Sequence, residues 1–162
     1  NEIKFNKEYY INRDLKGVIM ISEVKLKHII GVARECREIA RQIGLNQDQQ
    51  DACFVMGFLH DIGYEDCGDD ISLHPEKGVD LLLNYKYREL DCLNAIQNHG
   101  TKYKDLSVYD YVLNLADLTV DYKGDNVSIE QRLEDIRGRH GADSEHYKHA
   151  VQMAKAVRSY TN

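Results

Sequence analysis

The sequence has no long hydrophobic run and no C-x-x-C pair, and it contains a single proline. No stretch approaches the roughly 20 consecutive apolar residues that a membrane-spanning helix needs, so we expect no membrane as a partner. The first ten residues show no apolar segment behind a basic start, so we expect no secretory signal and a cytoplasmic location. Cys36, Cys53, Cys67 and Cys92 are expected to be reduced core thiols, except Cys67, which falls in a polar loop.

A basic stripe is also missing. The formal net charge is -6 and no run of Lys and Arg forms a stripe, which argues against a nucleic acid polymer as a partner.

A chain of 162 residues is long enough to bury a core, and its length fits one domain, residues 1–162. We expect the motifs in a core at about 22–122, with C-terminal helices at about 128–160 packed on it. The sequence leaves the oligomeric state open.

Helical periodicity, in contrast, is abundant. Apolar residues recur at intervals of three and four along most of the chain, which predicts an all-α protein, a compact helical bundle. Helices are predicted at 23–43 after Ser22, from Gln47 or Asp48 to about 61–63, from His74, at 87–98, after Ser107, from Ser128 through Arg137, and from Asp143 or Ser144. Leu83 and Leu90 are predicted to be buried, and Gly138 and Gly141 to bracket a turn.

An adjacent histidine and aspartate, His60 and Asp61, lie where an apolar segment ends. Further histidines and an aspartate lie in or beside other predicted helices: His28, His74, His99 and Asp117. Imidazole suits iron, zinc or nickel, and carboxylates can bridge two cations, so this mixed set predicts a transition-metal site. A core histidine with its hydrogen bonds satisfied would have the same pattern as His28, and a capping residue the same pattern as His74.

Local features constrain the surroundings of four of these side chains. His28 shares the apolar stripe of the first helix and therefore faces inward. His60 and Asp61 are about 100° apart around a helix, so both reach one site only if it lies beyond the last turn. Asp117 interrupts an almost continuous apolar surface, where a lone carboxylate would pay a large desolvation penalty, so it needs a partner or a metal.

Other residues near these ligands are candidates for contacts with a small anionic ligand: Lys77, Lys102 and Lys104, with Tyr64 and Tyr103 as pocket residues. Asp121, one turn beyond Asp117, either orients a ligand or a water or faces solvent. His140, His146 and His149 have no carboxylate in a clear position and are assigned to the surface. We therefore expect His146→Ala to change neither metal content nor activity, whereas Asp61→Ala should abolish both.

In order and context, these residues resemble the HD superfamily of metal-dependent phosphohydrolases, in its small bacterial type. The resemblance covers about residues 22–122 and rests on the segments Phe58-Leu59-His60-Asp61-Ile62-Gly63, His74-Pro75-Glu76-Lys77-Gly78 and Ala116-Asp117. It implies a helical bundle with the ligand order H, HD, H, H, D. It further implies one metal on His28, His60, Asp61 and Asp117, and a second on His74, His99 and a bridging Asp61.

The cofactor implied by this resemblance is one or two divalent transition metal ions, with Fe, Mn, Ni, Co and Zn as candidates. Two ions about 3.5 to 4 Å apart can lower the pKa of a water held between them. The implied activity is hydrolysis of a nucleotide or another small phosphate ester or anhydride by this bridging hydroxide, with Lys77 and Lys102 stabilising phosphate charge. Asn98-His99-Gly100-Thr101 is similar to members that hydrolyse nucleotides, including dinucleoside tetraphosphates, and differs from the paired histidines of cyclic-di-GMP phosphodiesterases.

Two alternatives stay open. HD-type mixed-valent diiron oxygenases, which act on a small polyol or phosphonate, use the same six ligands, so the ligand set alone does not separate the two reactions. A non-catalytic HD module that binds a nucleotide is the other alternative, and an intact ligand set argues against it.

Overall fold

The structure is a computed structural model that describes residues 2–6 and 18–161, with side chains described from Ile21 onward. This part of the chain contains seven α-helices: α1 Glu23–Gln42, α2 Gln47–Leu59, α3 His74–Asn84, α4 Leu90–Asn98, α5 Val108–Asp117, α6 Ile129–His140 and α7 Glu145–Arg158. The all-α prediction is confirmed. Over the same residues, no helix combines the length and the apolar character needed to cross a membrane.

Two short strands, which the sequence did not predict, precede the helices. β1 (Glu2–Asn6) and β2 (Val18–Ser22) pair in parallel, with Glu2 opposite Val18 and Asn6 opposite Ser22. The apolar, mostly β-branched run at the start of β2 favours a strand over a helix. β2 leads directly into α1.

Side-chain caps fix where five of the helices begin. The capping residues are Ser22, Asn46, Ser107, Ser128 and Ser144, and each accepts a hydrogen bond from the backbone N–H of the third helical residue. In α2, α5 and α6 the third helical side chain returns a bond to the cap, which completes a capping box. The predicted starts after Ser22, Ser107 and Ser128 are confirmed, and Ser144 rather than Asp143 caps α7.

The core has two parts that meet along α5. The larger part is formed mainly by α1, α2, α4 and α5, with Val32, Met56, Ile96 and Leu113 fully buried. The smaller part packs α6 and α7 against the end of α5, and half-buried Tyr111 and Leu115 belong to both. Helices α6 and α7 are thereby held against the part of the chain that carries the motifs.

Three local predictions are wrong. Leu90 is 69% exposed and Leu83 is 42% exposed, although both were predicted to be buried. Helix α4 begins at Leu90, three residues later than predicted, so this side chain stands at the helix end instead of on the buried face. Helix α6 continues through Gly138 to His140 and ends at Gly141, whose φ of 92° suits a glycine. Ion pairs within α6, such as Arg139–Asp135, support the helix across Gly138.

All four cysteines are free and buried, as predicted for three of them. Cys67, the expected exception, is also buried, and its thiol donates to the carbonyl of Tyr64 at 3.0 Å. Burial raises the pKa of Cys36 well above its usual range and that of Cys53 to about 12. These thiols are therefore core residues and poor nucleophiles.

Candidate metal centre

The structure brings all six candidate ligands to one place. They come from five segments: His28 from α1, His60 and Asp61 from the end of α2, His74 from the start of α3, His99 from the end of α4 and Asp117 from the end of α5. His28, His60, Asp61 and His99 are buried, while the side chains of His74 and Asp117 are 16% and 29% exposed. Their convergence agrees with the sequence analysis, and their role as ligands stays a prediction.

The end of α2 is shaped so that both members of the His-Asp pair reach the centre. Helix α2 stops at Leu59, and the backbone at Asp61 leaves helical geometry, with φ of -106° and ψ of 7°, before a 3₁₀ turn at Ile62–Asp66. His60 Nε2 and Asp61 Oδ1 are 3.3 Å apart. The site therefore lies beyond the last helical turn, where two adjacent side chains can share it.

Each of the four histidines has its Nδ1 facing a backbone carbonyl oxygen. The acceptors are Asp121 O for His28 at 2.9 Å, Gly57 O for His60 at 2.6 Å, Ile71 O for His74 at 2.7 Å and Ile96 O for His99 at 2.5 Å. A carbonyl oxygen only accepts, so each Nδ1 carries the proton. In a neutral ring, Nε2 then carries a bare lone pair, which is the tautomer of a metal-ligating histidine whose second nitrogen is hydrogen-bonded.

These four lone pairs face one another and two carboxylates. His74 Nε2 lies 2.9 Å from His99 Nε2, and His28 Nε2 lies 3.0 Å from Asp117 Oδ1. His60 Nε2 is fully buried without a hydrogen bond, 3.7 Å from Asp117 Oδ1. Acceptor atoms at such distances repel one another unless positive charge lies between them. The residues therefore fit a bound cation, and nitrogen with carboxylate oxygen is a donor set for a transition metal.

The protonation states agree with this donor set. Burial raises the pKa of Asp61, but the positive charges of His60, in its protonated form, and of Lys25 outweigh burial and hold this pKa well below its usual range. Burial likewise raises the pKa of Asp117, but hydrogen bonds that His28 and His60 would donate in their protonated forms, in place of a cation, outweigh burial and bring this pKa well below its usual range. Burial and then His99 lower the pKa of His74 to about 4, so its ring is neutral at neutral pH. Two anionic carboxylates and a neutral imidazole suit a divalent cation.

Potential ligand atoms form two overlapping groups, each spanning less than 4.8 Å: His28, His60 and Asp117, and His60, Asp61 and His99. The carboxylate of Asp61 lies near the ligand atoms of both groups. Its Oδ1 is 3.6 Å from Nε2 of both His74 and His99, whereas its Oδ2 faces Nε2 of His28 at 3.9 Å. One carboxylate therefore has an oxygen toward each end of the cluster.

The position of His74 depends on a close backbone approach at Gly63. A Cβ atom added at Gly63 would lie 2.0 Å from the carbonyl oxygen of His74 and 2.4 Å from the backbone nitrogen of Gly78. Only glycine lets the 3₁₀ turn after Asp61 pack directly on the first turn of α3. This contact sets His74 relative to Asp61.

We expect Gly63→Ala to destabilise the fold by about 1 to 3 kcal/mol, because the added methyl group must displace the backbone of α3. The measurement is the midpoint of urea unfolding. Gly78→Ala is the matched control, because its Cβ would meet Gly63 no closer than 3.5 Å, an ordinary contact distance. An unchanged midpoint for Gly63→Ala would show that the approach at Gly63 is not a constraint.

The position of His28 depends on the turn after α5. The backbone carbonyl of Asp121 accepts from His28, while the Asp121 carboxylate accepts from the N–H groups of Lys123 and Asp125, each at 2.9 Å. Gly124 has φ of 86°, and a Cβ there would meet the carbonyl of Lys27 at 2.3 Å. Asp121 thus orients His28 through its backbone, and its carboxylate holds the turn that places this carbonyl.

The centre opens into a cavity of about 960 Å³ that five of the six residues line, His60 being the exception. Charged side chains that also line it are Lys25, Lys27, Arg132, Arg139, Glu23 and Glu145. Tyr64 lines it as predicted, and its ring stacks on that of His74 with centroids 4.0 Å apart. Tyr103 does not line it; its hydroxyl contacts Nδ1 of His149. The volume suits a small-molecule ligand.

The predicted lysine contacts are wrong in position. Lys102 pairs with Asp110 at 2.8 Å, at the capped start of α5, and neither it nor Lys77 lines the cavity. Lys104 is exposed and also outside the lining. Nearness in sequence to a ligand does not fix where a side chain points. Lys25 is the lysine at the centre, with Nζ 3.0 Å from Asp61 Oδ2 and 3.9 Å from the centroid of the Tyr64 ring.

The surface assignment of three histidines holds for His140 and needs correction for His146 and His149. His140 is exposed and His146 and His149 are half-buried, and all three line the cavity. The packing of α6 and α7 against α5 turns them toward the cavity, which no local pattern indicated.

The position of Lys25 could have been predicted from the sequence, because it lies three residues before His28 and hence on the same helix face.

Arg132 on α6 is a further residue that the sequence did not point to. It is buried, its Nε donates to the carbonyl of Asp117 at 3.2 Å, and its Nη1 donates to Asp135 at 2.8 Å. Its Nη2 lies 3.8 Å from Asp117 Oδ1, beyond hydrogen-bond distance, and has no acceptor among the described residues. The guanidinium is thus fixed at the centre, and its Nη2 remains available as a hydrogen-bond donor.

The sequence model of the HD domain matches residues 26–120. This is more than half of the chain and includes all six candidate ligands, so the chain belongs to the HD domain family. HD domains are generally metal-dependent hydrolases and bind divalent metals. Comparison with curated proteins and with solved structures gives no match.

Proposed function

We propose that this protein is a metal-dependent phosphohydrolase that acts on a nucleotide or another small phosphate ester or anhydride. The observation that carries the proposal is the set of four Nε2 lone pairs turned toward two carboxylates. A donor set of this kind is balanced by divalent cations, and the cavity beside it has the volume of a small-molecule site.

We further propose a binuclear site, in which His28, His60, Asp61 and Asp117 hold one ion and Asp61, His74 and His99 hold the other. The support is Asp61, whose two oxygens face opposite ends of the cluster. Such ions supply Lewis acidity, which activates water and neutralises charge on a phosphoryl group.

The protein's own groups then bind and orient the substrate. The Lys25 ammonium and the Arg132 Nη2 each lie beside one of the two carboxylates, at 3.0 Å and 3.8 Å. Both can donate to phosphoryl oxygens held at the centre, and charge-assisted bonds of this kind strengthen as negative charge develops. We propose these two residues in place of Lys77 and Lys102.

The charge of the cavity supports an anionic substrate. The whole chain has a formal net charge of -6. Outside the six candidate ligands, however, the lining carries two lysines, two arginines and only two glutamates. With the two ligand carboxylates balanced by bound cations, the rest of the lining is net positive, opposite in sign to the whole chain, and suits phosphate groups.

The test is phosphate release from a panel of nucleoside mono-, di- and triphosphates and dinucleoside polyphosphates. Each substrate is assayed with Fe(II), Mn(II), Ni(II) and Co(II), in reducing buffer because the four thiols are free. We expect metal-dependent release from at least one of them. Metal-loaded protein that releases no phosphate but consumes oxygen with a polyol or phosphonate would contradict the proposal and indicate the oxygenase reaction.

A further inference from the structure

One wall of the cavity lies outside the residues that match the HD domain. Among the side chains of α6 and α7 that line it, four are here termed the α6–α7 wall: Arg132, Arg139, His140 and His146. Glu145 also lines the cavity, and its carboxylate pairs with Lys148 at 3.0 Å. The family match ends at residue 120, so this wall is a feature of the chain's own C-terminal helices. It borders the metal centre through Arg132, which donates to the carbonyl of Asp117.

The two arginines of the wall are neighbours because they share one carboxylate. Arg132 Nη1 and Arg139 Nη2 lie 2.8 Å and 3.0 Å from the same oxygen, Oδ2 of Asp135. Arg139 Nε also donates to Oδ1 at 3.0 Å, so its guanidinium plane is fixed by two bonds. Two guanidinium groups with one carboxylate leave a net positive charge, held in a defined orientation beside the centre.

Two histidines complete the wall next to Arg139. The rings of His140 and His146 stack with centroids 4.2 Å apart. Burial and then His140 lower the pKa of His146 to about 4, so this ring is neutral at neutral pH and offers one N–H donor. A neutral donor adds a hydrogen bond for an anion without repelling the arginines, so His146→Ala is expected to weaken anion binding, which replaces the unchanged activity expected from the sequence.

We propose that the α6–α7 wall binds a second phosphate directly joined to the one at the metal centre, so that the substrate is a phosphoanhydride, such as a nucleoside polyphosphate, and not a monoester. In this arrangement Arg132 contacts the reacting phosphate. Arg139 and His146 contact the second phosphate. Two phosphates linked by one oxygen match two guanidinium groups that share one carboxylate. This inference rests on the proposed function and narrows its substrate class.

The reaction implied is hydrolysis of the anhydride bond. The oxygen of water bonds to the phosphorus at the centre, and the bond from that phosphorus to the bridging oxygen breaks. The second phosphate leaves with the bonding electron pair, and one proton of the water is released. Arg139 stabilises the charge that collects on this leaving phosphate.

Calorimetric binding of two non-hydrolysable probes tests the wall separately from turnover. Methylenediphosphonate carries two adjacent phosphonates and methylphosphonate carries one. In Arg139→Gln, we expect the preference for methylenediphosphonate to fall about 10-fold, with methylphosphonate binding unchanged. Arg139→Lys keeps the charge but loses the two bonds that fix the guanidinium on Asp135. Its preference for methylenediphosphonate should fall about 3-fold. All proteins are compared with the same metal bound. Direct contact of a probe with the metal then contributes equally in each variant and does not affect the comparison between variants.

Arg137→Gln is the matched control, because Arg137 lies on the same helix, is exposed, and pairs with Glu134 outside the cavity. It should keep the wild-type preference. If Arg139→Gln keeps it too, or weakens both probes equally, the second-phosphate subsite is wrong while the phosphohydrolase proposal stands. If wild-type protein with its metal bound binds neither probe, the phosphohydrolase proposal fails together with the subsite.

Discussion

Asp61→Ala is expected to leave the purified protein without bound metal and to reduce phosphate release to background. Asp61 is the residue whose two oxygens face both ends of the cluster, so its loss removes a ligand from each proposed ion. It also leaves Lys25 beside the site without its 3.0 Å partner, which further disfavours a cation there. Metal content by elemental analysis and phosphate release are measured on the same preparation.

Two further variants show whether this loss is specific. Asp61→Asn keeps the volume but not the charge, and it should also lose most of the metal, which separates a ligand effect from a packing effect. Asp69→Asn removes an exposed carboxylate in the neighbouring loop and should retain metal and activity. Full metal content in folded Asp61→Ala would show that the site has been assigned wrongly.

Arg132→Lys is expected to lower kcat by about 100-fold while metal content stays at the wild-type level. Lysine keeps one positive charge but loses the planar fork that holds Nη2 at the centre while Nε and Nη1 bond to Asp117 and Asp135. Because the contact strengthens as charge develops on the phosphoryl group, kcat should fall more than KM rises. Steady-state kinetics on the best substrate of the panel give both constants.

Arg137→Lys, on the same helix but exposed, is the control and should have wild-type kinetics. A loss of metal in Arg132→Lys would indicate that the arginine only holds Asp117 in place. Wild-type kcat with retained metal would contradict a role in the reaction.

Local sequence signals were sufficient for most of the fold. Ser22, Ser107 and Ser128 were predicted as caps because a hydroxyl that accepts from the third helical N–H is a short-range feature. Convergence of the His-Asp pair was foreseen in the same way, since two adjacent side chains share a site only where a helix ends. The strands β1 and β2 were missed because the expectation of helices throughout overlooked the short apolar run at Val18.

The environment of the metal centre was less predictable, because it depends on contacts between distant segments. Lys102 was expected at the site from its position near His99, yet Asp110 holds it at the start of α5. Arg132 and His146 lie in helices that were expected merely to pack on the core. The contact of Arg132 with Asp117 and the position of His146 in the cavity lining follow from how α6 and α7 pack against α5, which no pattern within those helices encodes.

The most direct test of the metal centre is elemental analysis of freshly purified wild-type protein, with metal counted per chain. The proposed binuclear site predicts about two transition metal ions per chain. Protein that contains no metal, and takes up none when incubated with Fe(II), Mn(II), Ni(II), Co(II) or Zn(II), would contradict the account.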